Sequence, residues 1–296
     1  MFNFFLCSYF LMIIFSLVYK TFFMMWFFME LSSLMFFFFM NKFNFSKNSN
    51  IIYFLVQEMS SVFILLFFIM NNVFLVIFFV LMKLGGFPFH NWLLKITYSF
   101  SWNILFLILN LQKIIPLFFM YLFFMGNMLI LVFLNILISL FSMLNVYSNK
   151  YLLAVFSLMS LSWFYLIMPY SKFLLLVYML FYMLLNYFFL FVLMKMEELN
   201  MYFLLNLNLF FVFLVFNMIA FPPSIMFFLK VKVFNCFMMM NNNFFFLIYM
   251  MFFMILFSIA FFILFLNHFL VIPWKKLEMS LLLNFILLLN FLFFFV

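Results

Sequence analysis

Residues 73–92 read VFLVIFFVLMKLGGFPFHNW, and this stretch decides the fold. It begins with ten apolar residues, as a membrane-spanning helix does, and then meets Lys83, the glycines at 85–86 and Pro88. Glycine and proline weaken or end a helix, and a lysine near the bilayer centre costs about 2.5–3.5 kcal/mol on insertion scales. A helix interrupted beside a buried charge is typical of proteins that move ions or protons.

The composition places the whole chain in the membrane class. The 296 residues are 73% hydrophobic and 6% charged, whereas soluble domains carry about 25% charged residues. Cys7 and Cys236 have no metal-ligand spacing, which excludes a zinc site and a disulfide framework. Because the start of the chain lacks the features of a cleaved leader, we expect Met1 to begin the mature chain. We predict a single polytopic membrane domain over residues 1–296.

The residue bias indicates where the gene resides. Every basic residue is Lys and every acidic residue is Glu, while Phe reaches 64, Met 30 and Gly only 3. These preferences follow AT-rich codons, and the methionine excess fits a code that also reads ATA as Met. The bias predicts a mitochondrial gene and a multi-pass protein of the mitochondrial inner membrane. Helix contacts through small residues are expected to be scarce.

Polar loops divide the chain into eleven predicted membrane-spanning helices, which makes the fold class all-α. A crossing helix needs about 20 apolar residues. The predicted spans are 2–19, 22–40, 50–70, 72–95, 103–123, 128–146, 151–168, 173–194, 203–236, 243–266 and 280–295.

The lysines in the loops support this count. With the N-terminus in the matrix, seven of them fall on the matrix side, namely Lys42, Lys47, Lys95, Lys150, Lys195, Lys275 and Lys276. Only Lys20 and Lys172 fall on the other side. This distribution follows the positive-inside rule, and an error of one helix would scramble it.

A second helix break lies in the ninth span. Like the fourth span, the ninth is too long for one straight helix, and it contains Ala220-Phe221-Pro222-Pro223. Irregular backbone at membrane depth is tolerated only against protein or a water-filled cavity. Two broken helices in matching places of two halves predict antiporter-like inverted repeats with a site at their interface.

Buried charges are the candidate functional groups. Lysines 83, 113, 230 and 232 and glutamates 30 and 58 all lie inside apolar runs. Burial favours the neutral form of a lysine, whereas a nearby carboxylate favours its charged form. Movement of Glu30 relative to Lys83 could therefore control whether the lysine holds its proton. Lys232 lies on a different helix face from Lys230, and we interpret it as structural.

Six segments keep their order and spacing over residues 26–230. They are 26–31 (WFFMEL), 53–57 (YFLVQ), 82–92 (MKLGGFPFHNW), 112–116 (QKIIP), 150–154 (KYLLA) with Trp163, and 222–230 (PPSIMFFLK). Together they resemble the chain 2 family of mitochondrial NADH:ubiquinone oxidoreductase (complex I), which comprises antiporter-like proton-pumping subunits. The animal form of that family has eleven spans.

The resemblance implies a core subunit of complex I that translocates protons. Glu30, Lys83, Lys113 and Lys230 would form the proton path along the middle of the membrane, with Lys113 on an unbroken span between the two breaks. Gln112 and His90 are secondary candidates.

Cofactors and partners also follow from the resemblance. The chain has no phosphate-binding glycine loop and no cysteine cluster. No cofactor is expected on this chain, and NADH, FMN, iron–sulfur clusters and ubiquinone are implied on partner subunits. The expected partners are other membrane subunits of complex I, including antiporter-like chain 4, and lipids such as cardiolipin; nucleic acid is not expected.

Departures from the family pattern leave alternatives open. Ser160 and Ser162 replace a histidine and a glycine. Glu58 stands where the family carries a small neutral residue. It either adds a proton-binding group or pairs with a lysine such as Lys47, and its depth favours the pair. The competing functions are a stand-alone monovalent cation/proton antiporter and a membrane scaffold.

Overall fold

The fold was analysed in a computed structural model that describes most of the chain. The described residues are 2–42, 47–124, 126, 128–146, 148–198, 214–222, 224–240, 248–250, 252 and 255–260. All regular structure among them is helical. The chain divides into two compact units, Met1–Glu198 and Leu199–Val296. The single domain over residues 1–296 stays a prediction.

Ten α-helices of the first unit follow one another along the chain. They are α1 (Phe2–Val18), α2 (Phe22–Lys42), α3 (Lys47–Ile69), α4 (Val73–Leu84), α5 (Asn91–Thr97), α6 (Trp102–Phe106), α7 (Gln112–Phe123), α8 (Leu129–Met143), α9 (Asn149–Ile167) and α10 (Lys172–Glu198). A π-helical turn, Leu107–Leu111, joins α6 to α7. The segment Trp102–Phe123 is therefore one continuous helix.

Five of the described helices are long and apolar enough to cross a membrane. They are Phe22–Asn41, Lys47–Ile69, Trp102–Phe123, Asn149–Ile167 and Lys172–Phe191. Among the described residues, helices coincide within a few residues with seven of the first eight predicted spans, and the fourth span is helical only at 73–84 and 91–97. The prediction of an all-helical multi-pass fold is confirmed. The count of eleven stays a prediction, since residues 280–295 lie outside the described residues.

The core of the first unit lies around α7 and α9. In the membrane-length windows of these helices, 83% and 94% of the residues are buried, against 39% for α2 and 28% for α3. Helices that are apolar on all sides carry no stripe that would show which face turns inward. The core position of α7 places its lysine, Lys113, deep inside the unit.

Two lysines at helix starts contact the continuous helix 102–123 and the residues just before it. Lys150, at the start of α9, donates from Nζ to the carbonyl oxygen of Phe100 at 2.9 Å, and its ammonium lies 5.1 Å from the ring centre of Trp102. Lys172, at the start of α10, lies 5.9 Å from the ring centre of Phe118 near the other end of α7. These contacts agree with the alternation predicted for the fifth to eighth spans.

Helix α4 ends at the glycine pair. Gly85 has φ +68°, in the left-handed region that glycine adopts without steric cost. The amide of Gly86 donates to the carbonyl oxygen of Leu81 at 3.0 Å, which closes the last turn. Residues 85–90 are not helical, and α5 begins at Asn91. That α4 and α5 form one broken membrane-spanning element stays a prediction.

The second unit also contains a helix end at its predicted break. Residues 214–219 are helical, Ala220 has φ +62°, and the amide of Phe221 donates back to the carbonyl oxygen of Phe216 at 2.9 Å. Helix α11 then spans Ile225–Met240. A left-handed residue other than glycine costs about 1–2 kcal/mol, which makes Ala220 a strained stop.

Candidate functional site

A buried ion pair joins α2 to the last turn of α4. Lys83 Nζ lies 3.7 Å from Glu30 Oε2, and the two side chains are 1% and 18% exposed. The last turn of a helix favours a cation because the helix dipole is negative there. Two unit charges at 4 Å attract with about 4 kcal/mol at an effective dielectric constant near 20. The structure therefore brings together the two residues that the sequence placed in one pair.

Glu58, on α3, belongs to the same cluster. Its Oε1 accepts a hydrogen bond from Ser33 Oγ at 3.3 Å, and its carboxyl group interacts with both Glu30 and Lys83. Lys47 begins the same helix eleven residues earlier, about 16 Å away along the axis. The expected pairing of Glu58 with Lys47 is wrong, because side chains from α2 and α4 reach Glu58 instead.

Three side chains complete the hydrogen bonds of the backbone at the end of α4. Gln57 Nε2 donates to the carbonyl oxygen of Lys83 at 3.2 Å, and Trp92 Nε1 donates to that of Met82 at 3.0 Å. Asn135 Oδ1 on α8 accepts from the amide of Phe87 at 2.8 Å. A backbone group left unpaired in an apolar interior costs several kcal/mol. These bonds hold Lys83 at a fixed helix end.

Tyr53 lies between the ion pair and α7. Its hydroxyl group donates to Gln112 Oε1 at 2.7 Å, and it interacts electrostatically with Glu58 and Glu30. Gln112 directly precedes Lys113 in the chain. A polar connection therefore runs from the Lys83 cluster to the residue beside the second buried lysine.

Lys113 has a neutral hydrogen-bond partner. Its Nζ donates to the carbonyl oxygen of Ser157 on α9 at 3.1 Å, and the residue is 3% exposed. The same carbonyl oxygen accepts a second hydrogen bond, from Ser160 Oγ at 2.8 Å. The ion pair at 3.7 Å between Lys83 and Glu30 is the only salt bridge among the described residues.

The π-helical turn places another polar contact near Lys113. Asn186 Nδ2, on α10, donates to Asn110 Oδ1 within the turn at 2.7 Å, and both residues are buried. The Tyr182 side chain, one turn earlier on α10, is buried, and its hydroxyl group has no hydrogen-bond partner among the described residues. Such turns occur often at functional sites. No residue pattern of the fifth span predicts this turn.

The structure also describes the remaining predicted site residues, His90, Lys230 and Lys232. His90 is half-buried just before α5, near the carbonyl group of Pro88. In the second unit, Lys230 on α11 is partly buried, and Lys232 on the same helix is exposed. The exposure of Lys232 agrees with its interpretation as a residue of a different helix face.

Several residues of the site were not predicted as functional. Their shared feature is a lone polar side chain within an apolar helix, as for Tyr53, Gln57, Asn110, Asn135 and Asn186. Buried polar groups need partners, so each such residue indicates a contact, although its partner cannot be identified from the sequence.

The fold and the site together define a multi-pass helical membrane protein with an ion pair and a second lysine buried among its helices. No protein-family model matches the chain. Two curated proteins share sequence with it, and both are named NADH-ubiquinone oxidoreductase chain 2.

The two similarities are partial. The protein of Artemia franciscana is 36% identical over 94 residues, which cover 31% of this chain and 31% of that protein. The protein of Artemia salina is 38% identical over 73 residues, which cover 24% of this chain and 54% of that protein. The chain thus matches less than two thirds of the length of either relative.

Proposed function

We propose that the chain is a core membrane subunit of respiratory complex I in the mitochondrial inner membrane. It translocates protons, and the process is coupled to NADH oxidation and ubiquinone reduction elsewhere in the complex. The observation that carries the proposal is the Lys83–Glu30 ion pair, 3.7 Å apart and buried among apolar helices. The names of the two similar proteins and the six segments in register support the same assignment.

In the proposed path, Lys83 stores a proton and Lys113 passes it on. Moving Glu30 away from Lys83 weakens the attraction that holds the proton on Nζ. Tyr53 and Gln112 lie between the two lysines and can carry hydrogen bonds in either direction. Lys230 continues the path in the second unit, and His90 is a secondary proton-binding group.

The proposal assigns the redox chemistry to partner subunits. NADH, FMN, iron–sulfur clusters and ubiquinone would bind there, and this chain would contribute only proton transfer. Its membrane neighbours would include antiporter-like chain 4 and lipids such as cardiolipin. The proposed architecture has eleven spans in one domain, with two broken helices related as inverted repeats.

A native gel of mitochondrial membranes tests the assignment. Antibodies against the segment 98–101, which joins α5 to α6, should detect this chain in a very large assembly that also stains for NADH dehydrogenase activity. A stand-alone antiporter would instead migrate as a small protein without that activity, and this result would overturn the proposal. A membrane scaffold would co-migrate with the complex but would leave proton pumping unchanged when Lys83 is replaced.

A further inference from the structure

Glu58 is a charged group beside Lys83 that the proposed path does not use. Ser33 Oγ donates both to the backbone oxygen of Glu30 at 2.8 Å and to Glu58 Oε1 at 3.3 Å. This hydroxyl group, on α2, holds the Glu58 side chain of α3 against the turn that carries Glu30. Glu30 and Glu58 are thus held at one site, where their carboxyl groups interact electrostatically with each other and with Lys83.

Lys83 gives a second, independent indication of a proton site. Its side chain is 1% exposed, and its ammonium group lies 3.7 Å from Glu30 Oε2, beyond the usual length of a hydrogen bond. Among the described residues, neither Lys83 Nζ nor Glu30 Oε2 has a hydrogen-bond partner. A buried cation with unused donors thus faces two carboxyl groups.

The charges of this cluster do not balance when all three groups are ionised. Lys83 contributes one positive charge, whereas Glu30 and Glu58 contribute two negative charges. The other titratable group that faces them is the phenol of Tyr53, which has Tyr9 of α1 beside it; phenols are neutral at physiological pH. A net charge in apolar surroundings is costly, and two adjacent carboxylates do not both ionise readily.

We propose that Glu30 and Glu58 share one proton while Lys83 is charged, which makes the cluster neutral as a whole. Two carboxylates held at one site repel each other, and a proton shared between their oxygen atoms removes this repulsion. The proton belongs to the pair and not to either residue. Glu58 is therefore a proton-holding residue of the Lys83 site.

The shared proton changes the affinity of Lys83 for its own proton. This consequence rests on the proposed function, whereas the sharing itself does not. When the pair holds its proton, Lys83 faces one negative charge. When that proton leaves, Lys83 faces two negative charges and retains its proton more firmly. When the carboxyl pair has lost its shared proton, Lys83 therefore loses its own proton less readily.

Dicyclohexylcarbodiimide, an apolar reagent that modifies protonated carboxyl groups, tests the sharing in intact mitochondrial membranes. An ordinary glutamate, with a pKa of about 4.3, is ionised at about pH 8. We expect mass spectrometry to find Glu30 or Glu58 modified at that pH. In Glu30→Gln, modification of Glu58 should fall at least about tenfold, equivalent to about 1.36 kcal/mol, because the remaining carboxylate then balances Lys83.

Two variants and a second readout keep the test decisive. Met59→Gln changes the exposed neighbour of Glu58 and should leave modification unchanged, and Ser33→Ala replaces Glu30→Gln if that variant fails to assemble. Modification at about pH 5 but not at about pH 8 would overturn the proposal. If the reagent modifies neither residue at either pH, infrared spectroscopy replaces it as the readout. The C=O band of a protonated carboxyl group should then appear in the difference spectrum of the parent minus Glu58→Gln. Absence of that band would overturn the shared proton.

The outcomes separate this inference from the proposed function. Modification of the pair in a chain that migrates outside complex I would leave the shared proton intact and reject the assignment to the complex. In a chain that co-migrates with the complex and whose pumping depends on Lys83, absence of both the modification and the infrared C=O band would reject the shared proton alone.

Discussion

Lys83 and Lys113 are both buried, with 6% and 3% of the whole residue exposed, but their surroundings differ. Lys83 lies at a helix end and faces the carboxyl groups of Glu30 and Glu58. Lys113 lies within a continuous helix and donates to the backbone oxygen of Ser157. A buried charge without an opposite charge is costly, so a proton on Lys113 carries a cost that Glu30 offsets at Lys83. In the proposed path, this difference distinguishes the lysine that stores a proton from the lysine that passes it on.

Lys83→Met is expected to have the largest effect, because it removes one of the two buried lysines being compared. The variant removes the stored proton, and a methionine of similar length fills the site without charge. We expect an assembled complex whose proton pumping falls on the order of 10²-fold, the lower end of what a positioned proton-transfer group contributes. Pumping is measured as NADH-driven acidification in sealed membrane vesicles. Lys95→Met, at an exposed lysine of α5, is the matched control, and pumping at the parent rate in Lys83→Met would refute the storage role.

Lys113→Arg sharpens the comparison, because it keeps the charge and prevents release of the proton. We expect this variant to pump as poorly as Lys113→Met, with the quinone reductase rate reduced alongside. Arginine at Lys150, which lies at one end of the unit and bonds Phe100, serves as the control and should have no effect. An arginine variant that pumps normally would show that Lys113 acts only as a fixed charge.

Gly85→Ala tests whether the Lys83 site depends on the end of α4. The alanine would have to keep the left-handed backbone conformation of Gly85, and its Cβ would lie 3.0 Å from Leu93 Cδ1. The conformation alone costs about 1–2 kcal/mol. We expect the assembled complex to dissociate at a lower temperature on graded heating. Gly126→Ala, whose Cβ would meet nothing within 4 Å, should leave that temperature unchanged, and equal behaviour of the two variants would contradict the role of Gly85.

Asn186→Leu gives the smallest expected effect. It removes the hydrogen bond to Asn110 beside the Lys113 helix, and such bonds between membrane helices contribute about 0.6 kcal/mol on average. We expect a slight loss of thermal stability and unchanged pumping, measured by the same two assays. A large loss of pumping in a stable complex would place Asn186 in the path from Lys113.

The sequence predicted helix ends better than contacts between helices. Glycine and proline act locally, so the end of α4 at Gly85 and the stop near Pro222 could be read from the chain. The Lys83–Glu30 pair was expected because both residues are charged within apolar runs. Helix faces were not predictable, since Phe, Leu and Met surround most helices and leave no polar side to orient them.

The pairing of Glu58 with Lys47 was wrongly expected for the same reason, whereas its alternative as a proton-binding group stays a prediction. Its depth was judged from its own helix, where Lys47 was the nearest charge. Its actual neighbours come from two other helices, and contacts between helices depend on rotations that the apolar pattern does not set. Tyr53 and Gln112, which are 59 residues apart and hydrogen-bonded, were beyond sequence reasoning on the same ground.

The π-helical turn Leu107–Leu111 has a consequence for comparing this helix with its relatives. A π turn accommodates one more residue than an α-helical turn, and each residue rotates the helix by about 100°. Gln112 and Lys113 would therefore point about 100° away from their present directions if the turn were purely α-helical. Deletion of one residue within 107–111 would let the turn close as α-helix, and Lys113 would keep its direction towards Ser157. An alignment with a relative that lacks the turn should therefore place a one-residue gap here, with the lysine realigned beyond it.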